Sequence, residues 1–195
     1  VEYALDSENG WAIDVEDIRS KMDQNVRFIV LINPNTPTGN VATASEILEV
    51  VDIARDWPCC TVIADEIFDW VDFSGTQRSI ASLSVNSPDI TLNGVSKVHF
   101  APGWRIGYMA FHDPTHVLDE ARDGVERLLR SRLCASTPAQ HGYLAALNGD
   151  KGWLHERLES IRSRVDLCME RIDSIEGLSC NRPGGAFYLF PRMTE

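Results

Sequence analysis

The chain has 195 residues, of which 44% are hydrophobic and 24% charged, the balance of an ordinary globular protein with room for one large domain or one domain and part of a second. Its net charge of −11, from 29 acidic and 18 basic residues, repels a phosphate backbone, so nucleic acid is not an expected partner. No apolar run approaches the roughly 20 residues that cross a bilayer, and Val1 opens no basic-then-apolar signal segment, so no membrane partner is expected either.

Along the chain, Asp14 followed by Val15, Ile18 and Met22 predicts a short helix with an acidic N-cap. Residues 27–32 (RFIVLI) form a continuous apolar run of the kind found in a strand buried on both faces. Thr43 and Glu46 make a capping-box pattern, opening a helix with Ile47, Val50, Val51 and Ala54 on its apolar side. Further strands are expected at 61–64, 90–93 and 106–111. Asp113-Pro114 reads as a cap with proline at the first helical position, starting a helix with Leu118, Ala121, Val125 and Leu128 on one side. The arginines from Arg122 to Arg132 alternate with Asp123 and Glu126, which suits a solvated face. Thr137-Pro138 starts another helix that ends at Asn148-Gly149. From Lys151 to Ile175 the apolar positions alternate by four and three, predicting one long amphipathic helix closed by Gly177. A short strand is expected at 186–190.

Strand and helix alternate over the first hundred residues, so the fold class is α/β, with a largely parallel sheet flanked by helices and the start of a smaller α+β domain. The expected division is 1–150 for the large domain, 151–175 for a long interdomain helix, and 176–195 for the beginning of a small domain. With no initiator methionine and an end just after a strand, the chain reads as a fragment. The five cysteines, Cys59, Cys60, Cys134, Cys168 and Cys180, are odd in number and lack a Cys-x-x-Cys spacing. That argues against a disulfide framework or zinc site, and favours small core residues in a reducing, cytoplasmic setting.

Ligands gather at the carboxyl ends of parallel strands, and three polar clusters fall there. Residues 33–39 (NPNTPTG) follow the first strand, Asp65-Glu66 the second, and Ser96-Lys97 comes shortly after the third, with Arg105 eight residues beyond. Singly these read as a turn, a helix cap and surface cations. Together, a lysine amine, a carboxylate and an arginine suit a cofactor with a carbonyl, a ring nitrogen and a phosphate. The amine can form a Schiff base, the carboxylate can keep a pyridine nitrogen protonated, and the guanidinium can grip a phosphate at two points.

The ordered segments NPNTPTG, ADEIF (64–68), NGVSK (93–97), APGWRIGYM (101–109) and GGAFYLFPR (184–192) resemble the fold-type I pyridoxal-phosphate-dependent aminotransferases of class I/II. The wording around Lys97, with RLCASTPAQ (132–140), is most similar to the archaeal alanine/aspartate aminotransferase branch. The resemblance covers nearly the whole chain and about half of a full family member. It implies a cytoplasmic homodimer that uses pyridoxal 5′-phosphate to move an amino group between an amino acid and a 2-oxo acid. On it, Lys97 would hold the cofactor and shuttle the substrate proton, Asp65 would pair with the ring nitrogen, and Arg105 would bind the phosphate. Pro37, Thr38 and Gly39 would shape the cofactor turn, and Gly185 would lie near the substrate.

Three departures from the family pattern matter. Thr36 stands where asparagine usually contacts the ring hydroxyl, leaving either Thr36 or the neighbouring Asn35 to replace it. Phe68 stands where tyrosine usually donates to the same oxygen, and phenylalanine has no donor. Gly94 stands where many members place a phosphate-binding serine, with Ser96 adjacent to Lys97 instead. Family members also place a phosphate loop, a ring-stacking aromatic residue and a carboxylate-binding arginine outside the span matched here, so the fragment alone is expected to be a poor catalyst. The same scaffold serves carbon–sulfur lyases and decarboxylases, and also sensor domains of transcription regulators, which remain alternative readings.

Overall fold

A computed structural model of the chain describes residues 1–194. The N-terminus forms a two-residue antiparallel pair, β1 (Leu5–Asp6) with β2 (Ala12–Ile13). Helix α1 (Val15–Lys21) follows as expected, its first turn closed by Asp14, whose carboxylate accepts from Asp17 N at 2.8 Å. Strand β3 (Phe28–Ile32) is not buried on both faces: Ile29 and Leu31 are buried, while Phe28 and Val30 are 46% and 50% exposed. The apolar run identified the strand, but helix α2 (Ala44–Arg55) covers only one side of it. The capping box of α2 is complete, with Glu46 N donating to Thr43 Oγ1 at 3.2 Å and Thr43 N donating to the Glu46 carboxylate at 2.8 Å.

Strand β4 (Thr61–Asp65) leads through a loop to a single-turn helix, α3 (Ile80–Leu83), and then β5 (Asp89–Gly94) and β6 (Gly107–His112). The sheet order is β3-β4-β5-β6, with β3, β4 and β5 parallel and β6 antiparallel to β5. The register aligns Ile32, Asp65 and Leu92, so the parallel strands end level with one another. The architecture is thus the expected α/β one, a mostly parallel sheet with flanking helices.

Helix α4 (Asp119–Arg130) begins later than Asp113-Pro114 suggests. Asp113 instead closes a turn, its carboxylate accepting from Val117 N at 3.2 Å and Leu118 N at 2.7 Å. Of the apolar stripe assigned to this helix only Leu118 is buried, and Leu128 is 73% exposed. Helix α5 (Thr137–Asn148) keeps its expected bounds, and α6 (Gly152–Asp173) is the long amphipathic helix, burying Leu154, Val165 and Met169. Gly177, at φ +80°, turns the chain into β7 (Leu178–Ser179), which pairs with β8 (Arg192–Met193). The strand expected at 186–190 is absent. Ala186 has φ +56°, which extended backbone cannot accommodate, and Gly185 makes only an isolated bridge to Asp72.

Two apolar clusters form. One packs α1 and α2 against β3 and β4. The other joins Phe68, Val71, Val98, Leu154 and Ala186 at the strand ends, with Ile161 and Tyr188 against it. Contrary to the expectation of core cysteines, only Cys60 is buried; Cys59, Cys134 and Cys168 are exposed, Cys180 is half-buried, and all five are free thiols. Among the described residues, no helix is long and apolar enough to cross a membrane.

Gly185 is pinned where the second cluster meets the β3 loop. A Cβ there would stand 2.7 Å from Val71 O, 2.9 Å from Val41 Cγ2 and 3.0 Å from Pro34 Cβ. Gly185→Ala is expected to lower stability to urea by about 1–3 kcal/mol through overpacking. Gly124→Ala, where nothing lies within 4 Å, is the control, and should be neutral or gain up to about 1 kcal/mol of helix propensity. Equal unfolding midpoints for the two variants would contradict this packing.

Candidate active site

Hydrogen bonding continues one residue past the parallel strands: Asn33 N donates to Asp65 O at 3.0 Å, and Glu66 N to Leu92 O at 2.9 Å. The loops that follow therefore leave the sheet side by side, carrying residues 33–40, 65–68 and 94–97. The segment with Arg105 folds back onto the third of these, because Val95 N donates to Ile106 O at 3.2 Å.

The Lys97 ammonium lies 5.5 Å from the ring centroid of Phe68 and 5.5 Å from that of Phe187. The two rings meet edge to face at 4.9 Å, and Tyr188 packs on Phe68 at 5.7 Å. Aromatic faces attract a cation, and more strongly where water is excluded. Phe68 is 2% exposed, so it is at once a core residue and a wall of the lysine site. Phe187 was not singled out in the sequence; its place next to Gly185 and Ala186 was the available signal.

Asp65 is half-buried at the end of β4, with Oδ1 accepting from Ile67 N at 3.1 Å. Asn35 is tied into its own turn. Its Oδ1 accepts from Thr38 Oγ1 at 2.8 Å, its N–H donates to Asn40 O at 2.8 Å, and its carbonyl accepts from Gly39 N at 3.0 Å. Thr36 differs: its Oγ1 is buried without a hydrogen-bond partner. The same loop holds a second such group. Asn33, 2% exposed, accepts from Ala42 N at 2.9 Å through Oδ1, which leaves its buried Nδ2 without a partner. Sequence reasoning took Asn33 for part of a turn. A buried polar group left unpaired costs about 1–3 kcal/mol, so two in one loop mark a place where a polar ligand fits.

Ser96 is half-buried beside Lys97. Gly94 brings no hydroxyl, and a Cβ there would lie 3.0 Å from Ile106 O and 3.2 Å from Gly107 Cα, so a serine would need the neighbouring backbone to give. Arg105 is exposed, in the left-handed region at φ +51°, with Nη1 donating to Pro102 O at 2.9 Å. The structure thus gathers Lys97, Asp65, Phe68, Ser96 and the 33–40 loop at one end of the sheet, and seats Arg105 on the segment hydrogen-bonded to Val95. The donor set comprises an amine, a carboxylate, a guanidinium and two unpaired polar groups. It fits a phosphorylated ring with a reactive carbonyl.

Beside Asp65, Glu66 was also missed. It is 4% exposed, accepts from Ile80 N at 2.8 Å, and its carboxyl is pushed up to about 7 by burial. Burial likewise raises Asp69 to about 6. Glu66 thereby fixes the loop between β4 and β5 to the start of α3.

The sequence model of the class I and II aminotransferases matches residues 1–195. The glutamate-pyruvate aminotransferase AlaA of Escherichia coli K12 is 38% identical, over 99% of this chain and 48% of that protein. The alanine aminotransferase of Mycobacterium tuberculosis H37Rv is 33% identical, over 99% of this chain and 46% of that one. The alanine aminotransferase structure from Pyrococcus furiosus superposes with a TM-score of 0.97 at 41% identity, covering all of this chain and 49% of that one. The chain spans about half the length of the relatives it matches.

The raised Glu66 carboxyl has a defined effect on stability. Its folded value of about 7 exceeds the ordinary 4.5, so its contribution is full below about pH 4.5 and is lost as pH rises through 7. Glu66→Gln, which keeps the acceptor for Ile80 N, should be more stable than the parent at pH 8 by about 1–3 kcal/mol, with no difference near pH 4.5. Parallel urea-stability curves over that range would contradict the assignment.

Proposed function

Because the chain belongs to the class I and II aminotransferase family, we propose that the protein moves an amino group between an amino acid and a 2-oxo acid, with pyridoxal 5′-phosphate held at the carboxyl ends of β3, β4 and β5. The observation that carries this reading is the placement of the Lys97 amine, walled by Phe68 and Phe187, beside the strand that ends in Asp65.

Lys97 would tether the cofactor and, once released by substrate, hold the proton taken from the substrate α-carbon. When bound, the cofactor supplies a protonated ring that accepts the electron pair left at that carbon. Asp65 would orient on the ring nitrogen. Arg105 would grip the phosphate, aided by Ser96, since Gly94 has no hydroxyl to offer. Thr36, with its unpaired Oγ1, is the better candidate for the ring oxygen than Asn35, whose side-chain oxygen is engaged by Thr38. Buried Phe68 would shield one side of the amine, and the more exposed Phe187 would flank another.

The named activity of the Escherichia coli relative supports glutamate and pyruvate as the amino donor and acceptor. On this reading the whole protein works in the cytoplasm as a homodimer. Residues 1–150 belong to the cofactor-binding domain, 151–175 form the helix between domains, and 176–195 open the smaller one.

A single-turnover reaction tests the reading. The whole protein, of which this chain is a part, loaded with cofactor and mixed with glutamate and no 2-oxo acid, should release one equivalent of 2-oxoglutarate per site. Asp65→Asn should lower kcat by roughly a hundredfold or more with little change in KM, because the ring proton matters only as charge develops. No product from the loaded protein would reject the amino-transfer reading. Equal losses in kcat and KM would reduce Asp65 to the acceptor for Ile67 N.

A further inference from the structure

Beside the Lys97 turn, a second crevice of about 430 Å³ opens between the 95–104 segment and the junction of α5 with α6. Its walls include Val95, Trp104, Ala146 and Trp153, and its polar side chains are His99 and Asp150. Phe68, Phe187 and Lys97 do not line it. We propose that this crevice binds a small organic ammonium ion, held between the two indoles and the Asp150 carboxylate.

The walls are fixed. Trp104 lies on Gly142 of α5 so closely that a Cβ at that glycine would stand 2.5 Å from the indole Cζ3 and 2.8 Å from Cη2. Trp153 packs on His99 with ring centroids 6.0 Å apart, and His99 meets Tyr143 edge-on at 5.7 Å. The volume exceeds the roughly 30 Å³ of one water more than tenfold. Both ring nitrogens of His99 are buried without a hydrogen-bond partner. A ligand that carries a hydrogen-bond donor, such as a hydroxyl on the ammonium ion, would satisfy one of them.

Charge selects the ligand. Asp150 makes no ion pair or hydrogen bond among the described residues, while the neighbouring cation is held elsewhere. Lys151 Nζ donates to the carbonyls of Ala146 and Leu147 and stands 5.5 Å over the Trp70 ring. Burial and then the nearby Lys151 lower the basicity of His99, the Ala146 carbonyl acting in the opposite sense, so the neutral imidazole is favoured. A neutral imidazole does not repel a cation and offers it one acceptor nitrogen. Indole faces attract cations, and Trp104 and Trp153, 48% and 38% exposed, are open to one arriving from solvent. An anion would meet the Asp150 carboxylate and a chain of net charge −11.

The experiment compares choline with 3,3-dimethylbutan-1-ol, its uncharged isostere, by titration calorimetry on the whole cofactor-loaded protein. Saturable one-to-one binding of choline is expected in the millimolar range or tighter, with the isostere at least about tenfold weaker. Indole N–H resonances should shift on choline addition and not on addition of the isostere. Asp150→Asn, at an exposed position, should weaken choline about fivefold or more without altering the melting temperature. Equal affinity for the isostere would overturn the proposal by showing an apolar crevice, and so would no saturation by choline. Neither outcome bears on the role of Lys97.

Discussion

The Gly39 carbonyl accepts two backbone hydrogen bonds, from Gly184 N at 2.8 Å and Gly185 N at 2.9 Å, and these fasten the C-terminal segment to the ends of the parallel strands. Gly39 sits at φ +72°, and a Cβ there would fall 2.4 Å from Pro183 Cβ, so both its conformation and its surroundings require glycine. From this junction the ladder continues with Phe73 N donating to Gly184 O at 2.8 Å and Ala186 N donating to Val71 O at 2.7 Å. The next residue is Phe187, one of the two rings over Lys97.

The same segment is fastened a second time near its end. Arg192 pairs with Glu8, Trp11 meets Phe190 edge to face at 5.3 Å, and Asn181 Nδ2 donates to Ser7 O at 2.7 Å. The ion pair is exposed, so screening leaves it a small share of the stability. Most of the stabilisation comes from the apolar cluster of Phe68, Val71, Val98, Leu154 and Ala186, in which a side chain of leucine size contributes about 1.5–3 kcal/mol by leaving water. Packing therefore sets the position of the lysine pocket, while the polar contacts fix the direction of the chain entering it.

Much of this was legible in the sequence. Thr43 and Glu46 define a local start signal that works wherever the helix lies, and the level ends of β3, β4 and β5 follow from apolar runs punctuated by polar loops. Asp65 and Lys97 were recognised by residue type at such ends. Part of what failed depended on partners distant in sequence, and part on local alternatives of the same composition. Whether β3 is covered on one face or two is decided by what packs against it, not by its own residues. Asp113-Pro114 has the composition of a helix cap, yet the Asp113 carboxylate closes a turn over Leu118. The 186–190 run is apolar enough for a strand, but Ala186, next to the close approach at Gly185, has positive φ. The roles of Asn33, Glu66 and Phe187 lie in buried contacts that no periodicity reports.

Every assignment at the strand ends turns on Lys97 being the amine that holds the cofactor. The chain has three lysines, and the other two are engaged: Lys21 Nζ lies 2.6 Å from the Asp17 carboxylate, and Lys151 donates to the carbonyls that end α5. Borohydride reduction of the protein loaded with pyridoxal 5′-phosphate, followed by peptide mapping, distinguishes them in one measurement. The expected result is a single pyridoxyl label on the peptide carrying Lys97, absent from Lys97→Ala. A label on Lys21 or Lys151, or one that survives in Lys97→Ala, would contradict that assignment.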